Sequence, residues 1–299
     1  MSIPDLDRLE AKTLVICQER PLRSEEYLRL GDMIRGSVQL TDLTLHLTMV
    51  DAPQPFLDNL ADSSHIQALN LGCPSWIRSH DQAREQWQSW LVAGEHGDGL
   101  VQRMLRNPQN QLIELELCFT DLEDDHLLAI AQLLPDSRVE VIDFSLCRVQ
   151  PNGLLEFFRQ LPKMPSLDTI CFKNNPWENA PREVIEECGQ VLLEGIMEHP
   201  SMLCVDPLER FPQCPLMWHH LCLNQAGHHR ILTAARREDD DPLPLGLWPH
   251  ILARAGSIGK GRPSIIHTLE EDKEDYVFNG AANAVFFFLR SRPEICYQS

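Results

Sequence analysis

The sequence predicts an α/β solenoid, with parallel strands on a concave face, helices on a convex face and an α-helical cap at the C-terminal end. Three observations predict it. A short apolar pattern recurs as Leu112-x-x-Leu115-x-Leu117, Val139-x-x-Ile142-x-Phe144 and Leu167-x-x-Ile170-x-Phe172-x-x-Asn175. Its middle residue returns after 27 and then 28 positions. Each copy is followed by a turn and a helix-like run, at Asp124–Leu134, Gly153–Leu161 and Arg182–Met197. Parallel strands need a crossover of a dozen or more residues, and a helix of this length supplies it. One such unit cannot cover its own apolar face, so stability comes from stacking units side by side.

Weaker copies lie upstream. Ile66-x-x-Leu69-x-Leu71 is one and Leu40-x-x-Leu43-x-Leu45 another, with Leu14-Val15-Ile16 as a less regular first strand. The anchors Leu14, Leu43, Leu69, Leu115, Ile142 and Ile170 are separated by 29, 26, 46, 27 and 28 residues, and a degenerate copy, Met202-x-x-Val205, follows after 35. Three residues beyond the last strand apolar, an Asn or Cys would occupy the turn and meet backbone groups of adjacent units. That position reads Glu19, Thr48, Pro74, Thr120, Cys147 and Asn175. The apolar site two residues on reads Val50, Leu122, Val149 and Trp177.

These motifs resemble the ribonuclease-inhibitor-like subclass of leucine-rich repeats, across roughly residues 10–210. Gly153, with Phe157 and Leu161 at four-residue steps after it, belongs to the same pattern. The resemblance implies a solenoid that binds other proteins. Repeat surfaces bind and rarely catalyse.

The largest irregularity separates Leu71 from Leu100. Insertions in solenoids emerge at loops, often on the binding face. Trp87 and Trp90, three apart, would share one side of a short helix. They either cap an exposed edge of the sheet or plug a gap left by the excursion, or else form an aromatic patch for a partner, tryptophan being a favoured anchor.

After Pro207 the repeat pattern stops, which divides the chain into a solenoid of six to seven units, residues 1–210, and a helical capping region, residues 211–299. Leu216–Cys222 reads as helix, Glu238–Asp241 as a solvated acidic break, and Leu245–Ala255 and Tyr276–Ser291 as amphipathic helices. Leu223–Gly227 followed by Leu245–Pro249 resembles the tail of many algal leucine-rich-repeat proteins, which implies a structural role. The match departs at His228-His229, where the resemblance leads to arginines.

Charge limits the partners. The chain carries a net −18, and residues 1–210 hold 34 acidic against 17 basic side chains. Such a surface repels a nucleic acid or an anionic membrane and attracts a basic protein. Of ten cysteines, Cys17, Cys118, Cys147 and Cys171 lie within or beside predicted strands where an apolar residue would serve; they read as reduced, half-buried thiols, which fits a cytosolic or nuclear compartment. The N-terminus lacks the basic start and apolar core of a secretory signal, and the run Ala284–Leu289 is too short to span a bilayer.

Catalytic and cofactor chemistry find little support. Cys204, Cys214, His219, His220, Cys222, His228 and His229 are dense in metal-ligating types but lack paired Cys-x-x-Cys spacing. Gly256–Lys260 lacks the spacing and the Lys-Ser/Thr pair of a phosphate loop. No cofactor and no enzymatic site is expected.

Binding is expected on the concave face, because strand residues between the buried positions point there. In order these are Asp42, Thr44 and His46, then Ala68 and Asn70, then Glu114, Glu116 and Cys118, then Val141, Asp143 and Ser145, then Thr169, Cys171 and Lys173. Acids recur, Lys173 is the exception, and Asp206 extends the row. Asp42, Thr44, His46, Asn70, Glu114, Glu116, Asp143, Ser145 and Lys173, with Trp87 and Trp90, are the candidate partner-binding residues. The expectation is a non-enzymatic interaction module, monomeric or part of a hetero-complex, that takes a basic protein. The alternatives are a structural subunit of a larger assembly and an adaptor for a ubiquitin ligase.

Overall fold

Among the described residues, seven strands run parallel in one sheet, in chain order, from β1 to β7. The structure, a computed structural model, describes residues 11–17, 22–47, 53–73, 85, 87–88, 90–92, 99–199 and 201–225. The strands are β1 (Thr13–Cys17), β2 (Asp42–His46), β3 (Ala68–Gly72), β4 (Glu114–Glu116), β5 (Val141–Asp143), β6 (Thr169–Cys171) and β7 (Cys204–Asp206). The helices between and after them are α1 (Ser24–Gly36), α2 (Gln54–Ala61), α3 (Leu100–Arg106), α4 (Asp124–Ala131), α5 (Pro151–Gln160), α6 (Arg182–Glu198) and α7 (Cys214–Gln225). This is a solenoid-like α/β architecture.

Register ties the anchors together. Leu14, Leu43, Leu69, Leu115, Ile142, Ile170 and Val205 stand side by side across all seven strands. From Leu43 to Val205 they are at most 5% exposed, so this row is the floor of the core. The 46-residue step leaves the register intact, since β3 pairs directly with β4. Helices stack in the same order, α1 on α2, α2 on α3 and so on to α7 on α6.

The turn after each central strand repeats too. Phe119, Leu146 and Asn174 occupy equivalent places and all have φ between 57 and 59°. A left-handed residue other than glycine costs about 1–2 kcal/mol. Bonds to the next unit offset part of that: Phe119 N–H donates to Ser145 O at 3.2 Å and Leu146 N–H to Lys173 O at 2.8 Å. Behind this turn runs the predicted ladder. Thr120 Oγ1 donates to Leu117 O at 2.6 Å, and Cys147 Sγ reaches Leu117 O at 3.3 Å. Asn175 Nδ2 lies 2.8 Å from Phe144 O and 3.0 Å from Phe172 O, while its Oδ1 accepts Val149 N–H at 3.1 Å. The earlier ladder positions Glu19, Thr48 and Pro74, and Val50, lie outside the described residues.

Aromatic rings fill the later units. Phe144, Phe157, Phe158 and Phe172 meet at centroid distances of 5.4–6.4 Å. Trp177 stacks on Phe211 at 5.1 Å, so the core continues past residue 210. There α7 packs on α6 through buried Met217 and Leu221, and Asn224 Nδ2 donates to His199 O and Met202 O, both at 3.0 Å. His199 is buried; its Nε2–H donates to Met164 O at 2.7 Å and its Nδ1 accepts Ser201 N–H at 3.2 Å, while burial holds its pKa down and the ring neutral. The expected helices Leu245–Ala255 and Tyr276–Ser291 lie outside the described residues. Among the described residues, no helix is long and apolar enough to cross a membrane.

Candidate functional site: an acidic sheet face

Alternation divides each strand between two faces. One face carries the anchor row. The other carries two polar rows in register: Asp42, Ala68, Glu114, Val141 and Thr169, and beside it Thr44, Asn70, Glu116, Asp143, Cys171 and Asp206. Parallel neighbours lie about 4.8 Å apart, so acids that are 27 to 72 positions apart in the chain become close neighbours.

A hydrogen-bonded chain crosses the first half of this face. Asn70 Nδ2 donates to Glu116 Oε2, which leaves Asn70 Oδ1 to accept from His46 Nε2 at 3.1 Å. The imidazole therefore carries its proton on Nε2. Gly72 makes room for that ring: a Cβ there would stand 2.6 Å from His46 Cδ2. A glycine inside a strand marks such a close approach, and that was the available signal for this residue.

At the centre, Glu114 and Glu116 meet in a hydrogen bond beside Asp143. Burial is the largest influence on Glu116 and pushes it up to about 8, with the Glu114 hydrogen bond and the charges of Glu114 and Asp143 adding to the rise. Glu114 is also raised, by burial and by the charges of Asp42 and Asp143, against the Glu116 hydrogen bond. The pair thus retains a proton near neutral pH. Asp143 Oδ1 accepts Ser145 N–H at 2.7 Å.

Lys173 lies towards the β7 side of the face and pairs with Asp206 at 2.6 Å. Burial opposes its charge, but the hydrogen bond and charge of Asp206 outweigh that and raise its pKa. Its charge is therefore spent on Asp206 rather than on the central acids. Between the two, Ser145 Oγ donates to Cys171 Sγ at 3.2 Å; burial, with Asp143 next, pushes the Cys171 thiol up to about 12. Cys118 is raised as well, first by burial and then by Asp143. These thiols are packing groups.

The candidates differ in how far they reach solvent. Asp42, Thr44, His46, Asn70, Glu116 and Lys173 are part-exposed, whereas Glu114, Asp143 and Ser145 are only 8%, 5% and 7% exposed. Dense lateral packing sinks the latter three below the surface of the face. Trp87 stands apart from this face. It is 1% exposed within the core and its Nε1–H donates to Leu47 O at 3.2 Å, with no ring face left for a partner. Trp90 is partly buried against the same core.

Among the described residues, no group of three His, Cys, Asp or Glu side chains is placed to hold a metal ion. Of the histidine- and cysteine-rich segment, His228 and His229, and the side chains of His219 and Cys222, lie outside them.

No family model matches the chain. No curated protein matches it either. Among solved structures it is similar to Leiomodin-1 Actin-Binding Site 2, at a TM-score of 0.38 and 11% identity, over 73% of this chain and 99% of that one.

Proposed function

We propose that this chain is a leucine-rich-repeat solenoid of the ribonuclease-inhibitor-like kind, that it is not an enzyme, and that it binds a basic protein segment on the open sheet face. The observation that supports this is the central carboxyl pair. Glu114 and Glu116 keep a shared proton because burial disfavours their charged forms and the charge of Asp143, with that of Asp42 on Glu114, adds to it, while the ammonium of Lys173 is paired with Asp206. A guanidinium or ammonium seated over Glu116 would supply the missing charge and displace that proton. Asp42, Thr44, His46 and Asn70 would flank it, and their side chains reach solvent. A reducing compartment, cytosol or nucleus, suits the ladder, where Cys147 serves as a hydrogen-bonding thiol.

Calorimetric titration with a short arginine-rich peptide tests this reading. Binding should release protons between pH 6 and 8, tighten as pH rises, and weaken with salt as screening grows. The combined Glu114→Gln, Glu116→Gln, Asp143→Asn variant should weaken it at least tenfold while keeping the fold. Unchanged affinity in that variant would remove the face from consideration.

A further inference from the structure

The β1 edge of the sheet is built differently from the rest. Leu14 and Ile16 stand in register with Leu43 and Leu45, which are 1% and 0% exposed, yet both are only partly buried. Val15 between them is 61% exposed and Cys17 is exposed. Among the described residues, β1 pairs with β2 alone. The strand Thr13–Cys17 contains no charged residue and no proline, the usual devices that keep a sheet edge from pairing.

Charge is also different at this end. Among the described residues up to 40 there are 3 acidic and 4 basic side chains, whereas those from 41 to 210 hold 23 against 9. A neighbour approaching β1 meets a nearly neutral surface. An arginine-rich partner is drawn to the other strands, and a neutral apolar one suits this edge.

The strand is complementary to itself. In an antiparallel pair centred on Val15, Leu14 of one copy faces Ile16 of the other on the core side, Val15 faces Val15, and Thr13 faces Cys17. Every core-side rung then sets apolar on apolar and completes the layer that Leu14 and Ile16 leave open. The pairing is isologous, so it closes at two copies rather than growing into a fibre. Seven strand spacings would separate the two acidic centres, about 33 Å. That is several Debye lengths at physiological salt, so their repulsion is screened.

We propose that a second copy of this chain docks on β1, edge to edge and antiparallel about Val15, to form a continuous sheet across a dimer. This is independent of what the acidic face binds.

Sedimentation of the full chain, with the Val15→Lys variant beside it, tests the proposal. The wild-type chain should sediment as a dimer, and Val15→Lys, at a solvent-facing position, should be monomeric with an unchanged circular dichroism spectrum. A Thr13→Cys variant should form an intermolecular disulfide on oxidation, which adding Cys17→Ser abolishes; the Cα separations of such a pair suit that bond. A wild-type monomer at every concentration, or a dimer that Val15→Lys leaves intact, overturns it.

Discussion

Asp124 caps a helix to which it does not belong, and Gly153 leaves it the room to do so. From the first turn of α4, Asp124 Oδ1 accepts Gln150 N–H at 2.7 Å and its Oδ2 accepts Gly153 N–H at 3.0 Å, both at the start of α5. A Cβ on residue 153 would stand 2.4 Å from that carboxylate. Neighbouring units are thus joined by a charged cap at the helix end where negative charge is favoured.

The sign of one substitution follows. Gly to Ala inside a helix ordinarily stabilises by up to about 1 kcal/mol. Here Gly153→Ala should destabilise by about 1–3 kcal/mol, because the methyl displaces the carboxylate. Asp124→Ala alone should cost about 1 kcal/mol, and the double variant should cost less than the sum. Urea denaturation of the four proteins measures this; a stabilised Gly153→Ala protein contradicts the contact.

Asn175 is 2% exposed and satisfies backbone groups from two units at once. Asn175→Ala strands a buried N–H and at least one carbonyl, each worth about 1–3 kcal/mol. A loss of about 3 kcal/mol is expected. Asn175→Asp should rescue little, since a carboxylate cannot donate to Phe144 O or Phe172 O. Thermal melts that show Asn175→Asp near wild type would discredit the ladder.

The acidic centre predicts a pH dependence. Glu116 is raised in the folded chain from 4.5 to about 8, so the native state holds a proton that the unfolded chain releases. Its contribution is fully present below about pH 4.5 and is lost as pH rises through about 8. Glu116→Gln should therefore raise the melting temperature by a few degrees above pH 8 and change it little near pH 4.5. An equal shift at both pH values would mean that the carboxyl is not buried against its neighbours.

The strand order, the common register and the helical crossovers were legible before any coordinates. They depend on side-chain alternation and on a repeat length, and both are properties of the chain alone. Hence Leu14 and Val205, 191 positions apart in sequence, could be assigned to one row. The ladder at Thr120, Cys147 and Asn175 was legible for the same reason.

The character of the acidic face was decided in three dimensions. Sequence places Glu114, Glu116, Asp143 and Lys173 on one side of the sheet, but proton sharing, ion pairing and depth depend on ångström-scale approach between strands. That is why Lys173 went to Asp206, Asp143 sank to 5% exposure, and His46 came to lie across Gly72. Trp87 is the same lesson in the core: spacing could put it on a helix, and only its packing against the core beside Leu47 could bury it. Periodicity determines which face a residue takes; close packing determines what it touches there, because contact depends on every neighbour at once.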